Sequence, residues 1–405
     1  MIEDLIKNFI ILFSEGFFSI SALSIKKNKY FMNSYYSFND CRKEKTKEEK
    51  FSCKRSSLRT TKTYWLKDLT YGPNKKASFL ANIWLSIFAV NARSFLNPHW
   101  IIKQINSIKN YQFSNYEKLL YSQLTNPGLL SYFNAFRTKY NDLNENLGRE
   151  LLELYTVGEG NFSEEDVQNA SLVLTGLIID KENNVRQSKK FHFKGETTIL
   201  GKKKYFDLQS LINWLVQQPT TAENVAKRFG NYLIGEDVKT ENISKIIKDF
   251  EESNLQLKVL YKGFKSSEQY LNCAKYGSRL LDPCSLVSKT ISLIGSQHPN
   301  NFSIGLKILT QMGQRLLEPP NPKGWPFGDE WLSSARIYYR RKGLRMLIAD
   351  EEIWDTRNTS EVLRSELVAF DPLNISLPAS PTRGNISALI TDPSWNFGGP
   401  IDLTF

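Results

Sequence analysis

The sequence predicts a mainly all-α protein: an irregular multi-helix domain with one small β-hairpin and an extended C-terminal tail. Apolar residues recur at helical spacing through most segments between 77 and 348. Helix-start signatures stand in front of several of these segments. Strand-like character is confined to 190–206, where Lys194-Gly195 offers a turn between residues 191–193 and 197–200.

Residues 1–63 read as a variable basic N-terminal segment, 64–350 as the helical domain and 351–405 as the tail. The run 40–63 mixes charges with Ser and Thr and reads as a solvated linker or mobile helix, so that 1–63 is expected to be dispensable for folding. The first regular helix covers 77–92, an uncharged run with two i, i+4, i+8 rows, Phe79/Ile83/Ile87 and Leu80/Trp84/Phe88. A helix apolar on most faces must be buried. The run is shorter than a spanning helix and contains Asn82, Ser86 and Asn91, which should find partners on neighbouring elements. Leu143, Leu147, Leu151 and Leu154 form the next stripe. Ser163 followed by Glu164, Glu165 and Asp166 caps a helix that carries Val167, Ala170, Val173 and Leu174. Thr220 and Glu223 form a second capping box, ahead of Val225, Ala226, Phe229 and Leu233. Further helices are expected around 242–252, 285–294, 304–317 and 329–348. Residues 371–400, rich in Pro, Gly, Ser and Asn, lack periodicity. No internal repeat is present.

Hydrophobic residues make up 41% of the 405 and charged residues 23%, which excludes both a disordered chain and a membrane bundle. The net charge of +11 is unevenly spread: residues 1–80 hold 16 Lys and Arg against 8 Asp and Glu, and the rest is close to neutral. With no nucleic-acid motif and a near-neutral body, nucleic-acid binding is disfavoured. The four cysteines, Cys41, Cys53, Cys273 and Cys284, show no C-x-x-C spacing and read as unpaired thiols of a reducing compartment. The opening Met-Ile-Glu-Asp is net negative and 9–25 is interrupted by Glu15, so an export signal is weak and the N-terminus slightly favours the cytoplasm.

The densest polar stretch is 144–158. On a helix Asn146, Glu150 and Glu153 share a face, and Glu145 pairs with Arg149 at i, i+4. One reading is a carboxylate–amide patch that binds a metal or a substrate. Helix capping from Asp142 to Glu145, together with the Glu145–Arg149 pair, would equally explain those residues. Asn146, Arg149, Glu150 and His192 are the candidate catalytic residues, and Asn144, Glu145, Trp325 and Trp331 the candidate binding residues. No P-loop, H-E-x-x-H, G-x-S-x-G or dinucleotide fingerprint occurs, and neither a metal site nor a cofactor is expected. His99 and His298 adjoin prolines and read as loop or helix-edge residues. Residues 319–331 hold four prolines and two glycines with Trp325 and Trp331, a segment suited to clamping helices or presenting aromatics.

Asn144-Glu-Asn146, Arg149-Glu-Leu-Leu-Glu-Leu154 and Gly158-Glu-Gly-Asn161 resemble the bacterial family called domain of unknown function 1800. The resemblance continues through 162–167, 174–176, His192-Phe-Lys-Gly195 and Pro219-Thr-Thr-Ala222. It ends with Met312-Gly-Gln314, Pro319-Pro-Asn321, Lys323-Gly-Trp-Pro326 and Trp331, in order over about 77–345. It implies a mainly helical protein, often exported, with no assigned reaction. The family's usual Trp-His-x-His-Phe block reads Trp84-Leu-Ser-Ile-Phe88 here, and its His-Asp pair reads His192-Phe193. Leu and Ile neither bind metal nor move protons, so a binding or scaffold protein, or a degenerate enzyme, is expected, with a protein or small-molecule partner. A hydrolase-like enzyme using the remaining Asn146, Glu150 and His192 is the alternative. Residues two apart on a helix are about 200° apart around its axis. Only one of Leu85 and Ile87 should therefore face a polar pocket near Asn146 and Glu150, the other packing in the core.

Overall fold

The computed structural model describes residues 41, 43–294, 299–349 and 383–403. His298 lies outside the described residues. The fold is mainly helical, with three two-stranded antiparallel ribbons among the described residues.

The Lys75–Ile87 helix is the hub. Asn74 caps it by accepting the Ala77 amide, and it packs against the Lys47–Tyr71, Pro98–Tyr111 and Pro219–Ile234 helices. Its apolar rows go inward as expected: Leu80, Ile83, Trp84 and Ile87 are buried. Asn82 accepts from Trp65 Nε1 on the preceding helix at 3.2 Å, whereas Ser86 bonds back to Asn82 O within its own helix. A hydroxyl that reaches the i−4 carbonyl needs no neighbour. Around Trp84 stands an aromatic core of Phe88, Tyr116, Phe229 and Tyr261. Trp84 Nε1 donates to Tyr261 OH at 2.8 Å, and that hydroxyl donates to Gln112 O at 2.7 Å, so the polar atoms in this core are satisfied.

The Lys47–Tyr71 helix begins with a capping box between Thr46 and Glu49 and runs unbroken through residue 64. Leu58 and Thr61 are buried on it. Cys41 is disulfide-bonded to Cys53, which corrects the expectation of four unpaired thiols; Cys273 and Cys284 are free and buried. Spacing along the chain could not show this pairing, because the helix brings the two residues together from twelve positions apart.

The Ser163–Asp166 capping box is present and opens the Glu164–Val173 helix. The expected box at Thr220 is not formed. The Pro219–Ile234 helix starts earlier, at a proline whose fixed φ suits the first helical turn, and Glu223 instead accepts from Thr240 Oγ1. Val225, Ala226, Phe229 and Leu233 are buried on it as expected.

Strands β1 (Leu177–Ile179) and β2 (Val185–Gln187) form the first ribbon, and β3 (Thr197–Ile199) with β4 (Lys202–Lys204) the second. The expected hairpin is thus shifted. Leu200 and Gly201 both have positive φ, at 48° and 74°, and a two-residue turn of that kind matches strand twist where Lys194-Gly195 would not. Residues 191–193 lie outside the strands.

The tail is not wholly extended. The Arg383–Thr391 helix buries Ile386 and Ile390 and packs on the Ser334–Ala349 helix. Residues Phe397–Gly398 (β6) then pair with Arg279–Leu280 (β5). Trp395 is buried beside them and donates to Thr290 Oγ1 at 3.0 Å. No helix of the described residues is long and apolar enough to cross a membrane.

Candidate functional site

The polar stretch 144–158 does not stay α-helical. It enters the Asn146–Glu150 helix and widens into a π-helical turn over Leu151–Tyr155. The entry is capped by Asn144, not Asp142: Asn144 Oδ1 accepts the Asn146 amide at 2.9 Å, and its amide nitrogen donates to Phe133 O. Asn146 itself is exposed. Glu145 lies 3.8 Å from Arg149, but the closer partner of Arg149 is Glu164, which it clasps through two bonds of 2.9 and 2.6 Å. Arg149 is thereby committed to the helix that follows.

A π-turn leaves backbone carbonyls off the α-helical ladder, and such turns persist where outside donors reach them. Here the donors come from the Pro219–Ile234 helix. Arg228 Nη1 donates to Leu154 O at 2.5 Å, and Asn224 Nδ2 donates to Thr156 O at 2.7 Å. The segment 319–331 closes the same side. Lys323 O accepts from Arg228 and from Tyr232 OH, and Lys323 Nζ lies 3.3 Å from Glu153. Gly324 makes this approach feasible at φ 99°, since a Cβ there would collide with Ser86 O and the Tyr232 hydroxyl. Trp331 is fully buried, its ring 6.4 Å from that of Trp325, and Trp325 O accepts from Tyr232 OH. The two tryptophans therefore anchor the loop.

Within this frame two polar groups stand out. The Glu150 carboxylate is half-buried and makes no hydrogen bond among the described residues. Burial, reinforced by nearby Glu153, lifts its pKa above the ordinary value, against the opposing pull of Arg228, Lys323 and Arg149. The Tyr155 hydroxyl is fully buried and has no hydrogen-bond partner among the described residues. It lies within electrostatic reach of Glu150 and Arg228, and burial drives its pKa far upward. Asn224 and Arg228 were not singled out in the sequence. Their signal was a polar i, i+4 pair on a helix whose apolar residues all point elsewhere.

His192 belongs to a different cluster. Its Nδ1 lies 3.0 Å from Gln187 Nε2 and 3.2 Å from Thr175 O, and its Nε2 lies 3.4 Å from Tyr205 OH. None of these partners is Asn146, Arg149 or Glu150. His99 sits in the first turn of the Pro98–Tyr111 helix, exposed.

Residues 19–386 match the family described as "Protein of unknown function (DUF1800)". The chain belongs to that family. No curated protein and no solved structure matches it. At the DUF1800 positions that carry Leu85 and Ile87 in this chain, Leu85 borders a cavity of about 20 Å³ with Asn82, Gln104, Gln314 and Trp325. Ile87 is 2% exposed in the core. One residue of the pair thus borders a small space with polar groups in its lining, but Asn146 and Glu150 are not among its lining residues. The space holds about one water. Among the described residues no group of three or more His, Cys, Asp or Glu could hold a metal ion.

The raised pKa of Glu150 has a signed consequence. A carboxyl with a higher pKa folded than unfolded contributes stability that is fully present below the unfolded value, near 4.5, and is lost as pH rises through the folded value. Glu150→Gln is therefore expected to melt above the wild type at about pH 7.5, with the gain shrinking towards pH 4. Thermal melts across that range check this; a variant that melts lower at neutral pH would show that the Glu150 charge is stabilised in the fold.

Proposed function

We propose that this DUF1800 protein binds a small hydroxyl- or amine-bearing molecule between the π-turn and the 319–331 loop. In this reading it does not use Glu150 and His192 as an acid–base pair. The observation that carries it is the half-exposed Glu150 carboxylate, without a hydrogen bond among the described residues, near the buried and unpartnered Tyr155 hydroxyl, with Arg228 near both and Lys323 near Glu150. Buried polar groups are rarely left unpaired, and a ligand or an ordered water is one way to satisfy the Tyr155 hydroxyl. A ligand hydroxyl or ammonium would donate to Glu150, and a ligand oxygen would accept from Tyr155. Two further features agree with a binding role: Arg149 is held by Glu164, and both ring nitrogens of His192 have other neighbours. The Cys41–Cys53 bond supports an oxidising compartment, in line with export.

The test is a thermal-shift survey of the full chain with sugars, polyols, amino acids and polyamines. A ligand at about a hundred times its Kd adds about 2.7 kcal/mol of stability. At least one class should raise the Tm of the wild type and leave that of Glu150→Gln unmoved, while His192→Ala responds like the wild type. A survey in which no class shifts the wild type would sink the reading.

A hydrolase-like enzyme using Asn146, Glu150 and His192 is the second reading. It is favoured by one observation, the raised pKa of Glu150, which suits a general acid. Ester or amide hydrolysis lost equally in Glu150→Gln and His192→Ala would establish it. The binding reading expects purified protein to carry less than stoichiometric zinc, manganese or iron, which elemental analysis after dialysis checks. One tightly held metal per chain, lost on Glu150→Ala or His192→Ala, would overturn it and favour the enzyme.

A further inference from the structure

A groove of about 830 Å³ lies away from this site, between the first half of the Lys47–Tyr71 helix and the Pro299–Gln311 helix. Two side-chain rows form its walls, each at i, i+4, i+7 spacing: Arg55, Arg59 and Lys62 on one helix, Ser303, Lys307 and Thr310 on the other. Arg93 closes one end. The floor is apolar, with Leu58 and Leu316 buried and Ile304 half-buried between the rows.

The charge of the walls is lopsided. Five cations line the groove against one carboxylate, Glu318, and that carboxylate is taken by Lys62 at 2.5 Å. Arg59 donates to Ser303 across the groove at 2.7 Å, tying the walls together. Arg55, Arg93 and Lys307 pair with no carboxylate among the described residues, and all three are exposed. Unpaired cations on two low-dielectric walls focus a positive potential into the space between them. Burial lowers the pKa of Lys62 against the pull of its partner Glu318, and Arg93 adds a small like-charge effect.

We propose that this groove docks an acidic peptide segment of a protein partner, its carboxylates paired with Arg55, Arg93 and Lys307 and its apolar side chains laid on Leu58, Ile304 and Leu316. The chemistry selects this occupant. An apolar floor flanked by two helical rows is the shape used for peptide-in-groove recognition, and charge complementarity supplies the specificity. A bilayer is flat and would meet the rims only. A nucleic-acid strand would leave Leu58, Ile304 and Leu316 unused, and the one aromatic side chain of the lining, Phe51, already has Arg55 over its ring at 5.7 Å.

The experiment uses the full chain and a short fluorescein-labelled peptide of glutamates interspersed with leucine and phenylalanine, read by anisotropy at low salt. The wild type should bind, and affinity should fall with added salt. Arg55→Glu/Lys307→Glu should weaken binding about tenfold or more. Arg341→Glu/Lys342→Glu makes the same change of net charge on the exposed face of the Ser334–Ala349 helix and should leave binding within about twofold. Equal losses in the two double variants, or no binding by the wild type, would overturn the proposal. So would tighter binding of oligo-dT or phosphatidylglycerol vesicles that Arg55→Glu/Lys307→Glu abolishes. If that variant fails to melt cooperatively, Arg55→Gln/Lys307→Gln takes its place with the same outcomes.

Discussion

Trp84→Ala is expected to destabilise the protein by about 3–5 kcal/mol. Trp84 is fully buried, with its ring centroid 5.4 Å from Phe229, 5.9 Å from Tyr116 and 6.2 Å from Phe88. Phe88 caps the same helix, Tyr116 and Phe229 come from two other helices, and Tyr116 OH is held by Tyr155 O at 2.7 Å. The surroundings therefore cannot collapse into the space that an indole leaves. Truncation also removes the donor to the Tyr261 hydroxyl. Trp84→Phe keeps most of the apolar area and should cost about 1–2 kcal/mol, chiefly for the lost hydrogen bond. Denaturant titrations check both: the midpoint should fall in that order with little change of slope. An unchanged midpoint for Trp84→Ala would remove this cluster from the centre of the core.

A chain beginning at Tyr64 is expected to lose at least about 3 kcal/mol, the scale of deleting one large buried aliphatic and its neighbours. This departs from the sequence-based expectation that 1–63 is dispensable, and the reason is the Lys47–Tyr71 helix. It buries Leu58 and Thr61, joins Lys62 to Glu318 and ties Arg59 to Ser303. Cutting at Tyr64 removes those contacts and bares the apolar side chains beneath them. Leu58→Ala in the full chain should cost about 2–4 kcal/mol and separates this helix from whatever precedes it. A cooperative transition at the wild-type midpoint for the shortened chain would show that the helix contributes no net stability before residue 64.

The elements that were legible in the sequence share a feature: their signals are short-range. Ser163 and Asp166 cap each other across three residues, and Val225, Ala226, Phe229 and Leu233 mark one face within two to three turns. The apolar rows of 77–87 announced burial because a helix without a polar face has nowhere else to go. The errors arose where a local signal competed with another. Pro219 outcompeted Thr220 as a helix start, and the Leu200–Gly201 turn outcompeted Lys194–Gly195. The charged run 40–63 looked solvated because its buried residues, Ser57, Leu58 and Thr61, are few and mostly polar.

The candidate site was legible only in part. Glu150, Glu153 and the 319–331 loop could be named from the sequence. Their arrangement could not. The sequence by itself determined the helical class, the family and most helix faces, because those follow from spacings of three and four residues and from the residue types at helix ends. Only the tertiary structure decided that the helix widens at Leu151–Tyr155, that Arg228 and Lys323 flank Glu150, and that His192 stands with Thr175, Gln187 and Tyr205. A π-turn survives because donors from a helix some seventy residues away, Asn224 and Arg228, satisfy its carbonyls. A contact of that range leaves no periodicity in the chain to read.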